Sequence, residues 1–233
     1  MKIPMVKVPT FTTTLPVSGD KVEFRPFLVK EEKLLLLAND SEDNEDVINA
    51  IQDLVRGCTF EKLNLNKYCL ADIQWLFLQI RSKSIGKDID MYMICGECDH
   101  KQLKTLDVTD FHTKSTQKID HVIAIDDNVK VELRYPSLKH YMDLFEEQDE
   151  NKIYDVVIDC IDKIYSDDEV FVNIGETNQE LREFVDNLTA EQFEPFEQFF
   201  LNMPTLVKEI EFQCVKCGKD NTVIVDSLRH FFG

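Results

Sequence analysis

Ile94-Cys95-Gly96-Glu97-Cys98-Asp99-His100 and Gln213-Cys214-Val215-Lys216-Cys217-Gly218-Lys219 are two copies of one pattern. Each is a Cys-x-x-Cys pair followed by a residue that tolerates a left-handed backbone. Strand-like stretches flank both: Ile89 to Ile94 and Gln102 to Val108 around the first, Glu209 to Gln213 and Thr222 to Val225 around the second. The pattern predicts two β-hairpins with a cysteine pair at each tip. Such a knuckle must turn sharply after its second thiol. Gly218 does so without steric cost, and Asp99 belongs to the few non-glycine residue types that accept positive φ. Four thiolates on two facing knuckles make a closed tetrahedral site suited to zinc, which holds a fold together and leaves no position for substrate. Cys95, Cys98, Cys214 and Cys217 are therefore the expected ligands of one structural zinc ion. His100, Lys101, Lys216 and Lys219 gather beside them and offset the excess negative charge of four thiolates.

The alternatives are four reduced cysteines without metal, or one redox-active pair. Against the redox reading, neither pair follows a strand and opens a helix, the setting that lowers the pKa of such thiols. Positions 99 to 213 put 115 residues between the pairs, far more than an ordinary zinc ribbon has. Loop-closure entropy grows slowly with length, so a long insertion is tolerated. The expected fold class is thus α+β: split zinc-ribbon-like hairpins, a helical N-terminal part, and an inserted block containing a further hairpin and helices.

The chain has 233 residues, 43% of them hydrophobic with 16 Phe, enough for a substantial core. Its formal net charge of −18 disfavours phosphate backbones and anionic lipid as direct partners. Met1-Lys-Ile-Pro-Met-Val-Lys7 has no apolar stretch of the secretory kind, and the longest apolar runs, Leu34 to Ala38 and Trp75 to Leu78, are too short to span a bilayer. Seven cysteines, an odd number, suit a reducing cytoplasm. Cys58, Cys69 and Cys160 remain after the four ligands and read as small buried hydrophobes.

Four segments are expected along the chain. Residues 1–18, with Pro4, Pro9, Pro16 and three threonines, read as an extended arm that orders on a partner. Residues 19–87 read as a strand at Val22 to Arg25 and helices at Glu31 to Asn39, Val47 to Val55 and Leu70 to Ile80, the last buried nearly all round. Asp40 to Asp46 reads as the acidic loop between the first two helices. Residues 88–116 and 205–233 are the two halves of the ribbon. Residues 117–204 form the insertion: a hairpin of Ile119 to Ile125 and Val129 to Tyr135, a helix from Pro136-Ser137, and a helix marked by Ile153, Val156, Val157, Cys160, Ile161 and Ile164 at helical spacing. Capping boxes Thr177-x-x-Glu180 and Thr189-x-x-Gln192 open two more helices, with Pro195 expected to bend or restart the second.

Catalytic patterns are missing from the sequence. It has no G-x-G loop, no G-x-S-x-G elbow, no H-E-x-x-H helix, no calcium loop and no deaminase signature. His100, His112, His121, His140 and His230 are scattered, and Asp126/Asp127 and Asp167/Asp168 read as solvated turns among 44 carboxylates. The expectation is a non-enzyme.

Arg25-Pro-Phe-Leu-Val-Lys-Glu-Glu-Lys-Leu-Leu-Leu-Leu-Ala38, Leu78-Gln-Ile-Arg-Ser-Lys-Ser-Ile-Gly86, Leu133-Arg-Tyr-Pro136, the two knuckles and Val225-Asp-Ser-Leu-Arg-His-Phe-Phe232 carry a wider likeness. Through them the chain resembles the baseplate hub proteins of T-even-type contractile-tailed bacteriophages. The resemblance implies a structural or assembly protein of the tail hub. Its partners would be other hub or tail proteins, in the host cytoplasm during assembly and in the virion tail baseplate. The other reading is a zinc-ribbon adaptor that reaches a transcription or nucleic-acid-processing complex through protein contacts. Residues 1–18 and the tail Arg229 to Phe232 are the segments expected to meet a partner.

Overall fold

The computed structural model describes residues 6–39, 44–114, 120–138, 140, 152–167, 169–172 and 178–225. It is a mixed α and β protein whose contacts divide it into two units. One is drawn from Met1–Leu65, Leu70–Lys114 and Thr205–Gly233, the other from Asn66–Cys69 and Ser115–Pro204.

The first unit begins with an antiparallel pair, β1 (Phe11–Thr14) and β2 (Lys21–Phe24), in register from Phe11 opposite Phe24 to Thr14 opposite Lys21. Residues 11–18, expected as part of an extended arm that orders on a partner, instead pair and bond within the chain itself. β-branched threonines favour a strand, and Pro9 and Pro16 bound it. The turn is pinned to α3 (Leu70–Ser84), where the buried Asp72 carboxylate accepts the Val17 and Ser18 N–H groups at 2.8 and 3.0 Å. Trp75 Nε1 donates to Thr13 Oγ1 at 3.2 Å, and Leu15 is buried.

α1 (Val29–Asn39) and α2 (Asn44–Cys58) follow. α2 buries Ile48, Ile51, Leu54, Val55 and Cys58, one stripe at helical spacing, and α3 is buried over most of its surface. The opening of α1 is held by a buried ion pair: Arg25 Nη2 lies 2.8 Å from Glu31 Oε1. Glu31 Oε2 accepts the Leu28 N–H at 2.8 Å, capping the first turn. The apolar run that begins at Leu34 turns outward in part, with Leu34, Leu36 and Leu37 exposed. The Asp40 to Asp43 part of the acidic loop lies outside the described residues.

β3 (Asp88–Ile94) and β4 (Lys101–Asp107) form a two-stranded hairpin in full register. Ile89, Met93 and Leu106 are buried, while Tyr92 and Leu103, directly opposite one another, are exposed. β10 (Leu206–Gln213) and β11 (Asp220–Val225) form the second hairpin, extended by the short β5 (His112–Thr113) against the start of β10.

The second unit is a four-stranded antiparallel sheet with helices on one face. The strand order is β6 (Val122–Ala124), β7 (Val129–Leu133), β8 (Ile161–Ser166), β9 (Glu169–Val172). The helices are α4 (Lys152–Cys160), α5 (Asn178–Asp186) and α6 (Ala190–Leu201). Ile123, Val131 and Ile161 from the sheet pack with Val157 of α4, Val185 of α5 and four phenylalanines of α6. These are Phe193, Phe196, Phe199 and Phe200, spaced to share one face.

Two expectations change here. The helix read through Ile164 stops at Cys160, and Ile161–Ser166 turns directly into the central strand β8. Ile161 and Ile164 satisfy both a helical stripe and a half-buried strand, and pairing with β7 decides between them. α6 runs through Pro195 rather than restarting there. Its capping box is formed as expected: Gln192 N–H donates to Thr189 Oγ1 at 3.3 Å, and Thr189 N–H donates to Gln192 Oε1 at 2.9 Å. The Thr177 half of the other capping box, residues 141–150 of the helix after Ser137, and the Arg229 to Phe232 tail lie outside the described residues.

Candidate metal centre

The two knuckles are built the same way. In the first, Cys95 N–H donates to His100 O at 3.0 Å and Asp99 N–H donates to Cys95 O at 3.0 Å. In the second, Cys214 N–H donates to Lys219 O at 2.8 Å and Gly218 N–H donates to Cys214 O at 2.9 Å. The closing turn needs positive φ, and Asp99 and Gly218 supply it at 53° and 74°. These turns, each closed by an N–H four residues after the first cysteine, bring the thiols of the two pairs together.

All four predicted ligand residues are brought together. The Sγ atoms of Cys95, Cys98, Cys214 and Cys217 all lie within 4.8 Å of one another. Pairing is crossed: Cys95 Sγ is 3.7 Å from Cys217 Sγ, and Cys98 Sγ is 3.7 Å from Cys214 Sγ. A tetrahedron with sulfur about 2.3 Å from its centre has edges of about 3.8 Å. The donor set therefore fits a tetrahedral thiophilic cation. Cys95 and Cys214 are buried and Cys217 is exposed, so the cluster sits at the surface with one side covered.

Two side chains that sequence reading passed over tie the knuckles together. Asn221 Oδ1 accepts the Gly96 N–H at 3.0 Å, and its Nδ2 approaches Cys95 Sγ at 3.6 Å. Gln102 Oε1 accepts the Val215 N–H at 3.0 Å, and its Nε2 donates to Gln213 O at 3.2 Å. Each carboxamide stands four residues after the second cysteine of its own pair and grips the residue after the first cysteine of the other. That shared position is the signal that could have found them.

The thiols divide in their affinity for protons. A backbone hydrogen bond from Glu97, aided by those from Cys98 and the neighbouring thiols, brings Cys95 down to about 6. Cys214 is lowered in the same way, chiefly by the backbone N–H of Cys217. For Cys98 the backbone N–H of His100 pulls downward, but burial and the surrounding thiols outweigh it and push the group up to about 12. Cys217 is also raised. Each knuckle thus carries one thiol that is lowered and one that is raised. Cys58 and Cys160 behave as core residues, each pushed up to about 12 by burial.

A family model described as T4 bacteriophage base plate protein matches residues 8–233. The chain belongs to this T4 baseplate protein family. The match spans both knuckles, the Arg25–Glu31 segment and the whole second unit. No match is found among curated proteins or among solved structures. Family membership decides between the two functional readings. The chain is a phage baseplate structural protein, with other baseplate and tail proteins as its setting. Among the described residues of this baseplate protein, no helix is long and apolar enough to cross a membrane.

Proposed function

We propose that this baseplate protein acts in the central hub of the tail, as a component or as an assembly factor, and that one structural zinc ion bound by Cys95, Cys98, Cys214 and Cys217 closes its fold. The observation that carries the metal reading is the crossed 3.7 Å contact between thiols of opposite knuckles, which matches the edge of a zinc tetrathiolate. The site is a closed one, so its role is mechanical. It joins two hairpins that the chain itself separates, as a ribbon split by an insertion. No residue set for small-molecule chemistry enters this reading, and the protein works by contact with other tail proteins.

Elemental analysis of freshly purified, reduced protein tests the metal, with one zinc per chain expected and none overturning it. Co-purification with tail proteins from infected cells, followed by mass spectrometry of purified virions, tests the hub role. Recovery of hub proteins supports it, and recovery solely of outer-baseplate or host proteins overturns it.

A further inference from the structure

The sheet of the second unit ends on an open strand. β9 pairs with β8 on one side, and among the described residues no strand pairs with its other side. Val170, Phe171 and Val172 are all exposed, at 52, 56 and 53%. Natural sheet edges are commonly blocked by lysine, proline or a bulge, and Val-Phe-Val carries none of these. Phe171 stands opposite Ile164 on the helix-covered face. There it walls a cavity of about 210 Å³ together with Leu181 and Phe184 of α5, with Glu180 at its rim. A strand edge beside a helix, with an apolar groove between them, is the geometry into which an extended peptide adds.

The groove also has a sign. Glu180 lines it and is exposed, Glu169 and Glu183 are exposed elsewhere on β9 and α5, and Arg182, the only cation of α5, is held by Asp155 at 2.7 Å. A segment of complementary character lies in this same chain. Residues 1–10 contain Lys2 and Lys7 and no carboxylate side chain, in a protein of net charge −18. In an added strand Ile3, Met5 and Lys7 would share one face and turn their backbone groups toward the strand they join. Pro4 falls in the alternate set, whose missing N–H would point to the open side, where proline is tolerated. Residues 6–10 form no helix or strand, and Val6 is 89% exposed.

We propose that residues 3–7 of one copy add as a fifth strand to β9 of a second copy, placing Ile3 and Met5 in the Phe171–Leu181–Phe184 groove and Lys7 against Glu180. Donor and acceptor are present in every copy, so exchange in both directions closes a two-fold dimer. This association goes beyond the baseplate reading and does not depend on it.

Sedimentation and light scattering of the full chain across a wide concentration range test the proposal. Self-association is expected for the unmodified protein. Lys7→Glu or Glu180→Lys should weaken it about tenfold by replacing an opposite-charge pair with a like-charge one, and the double variant should restore it. Phe171→Asp, at an exposed position, should abolish it with the melting temperature retained. A labelled peptide of residues 1–10 should bind the chain lacking residues 1–7, and the Phe171→Asp form of that chain should not. A protein monomeric at every concentration overturns the proposal, as does self-association indifferent to these changes or a segment bound within its own chain. Co-purification with tail proteins is read separately, so a monomer that still binds them removes the dimer and leaves the hub assignment standing.

Discussion

Gln102 and Asn221 occupy equivalent positions on opposite knuckles, and the carboxamide oxygen of each accepts a backbone N–H from the other's turn, Val215 N–H and Gly96 N–H respectively. The two hairpins are therefore joined by a reciprocal pair of hydrogen bonds besides the thiols. Replacing Asn221 by Ala leaves the Gly96 N–H without its partner and removes the donor beside Cys95. Outer partners of this kind typically contribute about 10–100-fold in metal affinity. Asn221→Ala and Gln102→Ala should each weaken zinc binding by about that factor, measured by competition with a chromophoric chelator, while leaving one zinc per chain at saturation.

Zinc affinity should fall as pH falls. The metal takes thiolates, so protons compete for its ligands. Cys95 and Cys214 are lowered and give up their protons readily, whereas Cys98 and Cys217 are raised and hold theirs at neutral pH. Binding at neutral pH should release at least two protons per zinc, those of Cys98 and Cys217. Titration in weak buffer with a pH indicator measures this number. Serine at any of the four cysteines should lower both metal content and melting temperature.

The Arg25–Glu31 pair should set part of the acid stability of the first unit. Burial favours the neutral carboxyl, but the Arg25 guanidinium, the Leu28 N–H and Lys30 outweigh it and hold Glu31 below its usual 4.5. A depressed carboxylate contributes stability that is present above 4.5 and is lost as pH falls through the lower folded value. Glu31→Gln should cost about 3 kcal/mol at neutral pH, because Arg25 is left buried without its counter-charge. The variant should also flatten the stability curve below pH 4.5, measured by denaturant unfolding across the acid range.

Truncation should separate two parts of the N-terminal segment. Removing residues 1–7 spares the β1–β2 pair and should leave the melting temperature unchanged. Removing residues 1–18 deletes β1, uncovers the core around Leu15 and leaves the Asp72 carboxylate buried without its two N–H donors. A cost of at least about 3 kcal/mol is expected, from the lost Leu15 burial and the unsatisfied carboxylate together. Asp72→Ala alone should recover part of that loss when placed in the truncated chain, since it removes the stranded charge.

The knuckles were legible in the sequence because everything that makes them is local: two thiols, a left-handed residue and flanking strands. α2 and α3 were legible because their apolar stripes have one interpretation. β8 was not, since Ile161 and Ile164 fit a helix as well as a strand and the choice rests on β7, some thirty positions earlier. β9 was passed over because four residues hold no periodicity to count. The Phe11–Thr14 strand was hidden by its prolines, whose effect is to end a strand as much as to prevent one. Gln102 and Asn221 are half-buried polar residues near strand starts, and their role lies in bonds to the opposite knuckle, more than a hundred positions away.

The 115 residues between Cys98 and Cys214 also set a clock. Chains emerge at about 5–20 residues per second, so the second knuckle follows the first by about 6–23 seconds. Throughout that interval the newborn chain shows a lone dithiol hairpin with half a coordination sphere, while the intervening sheet and helices are being made. Four-thiol closure is available only once Cys217 has been made. Metal capture by the full set thereby waits on synthesis of the whole insertion, and a product terminated within it is marked by an open pair of thiols.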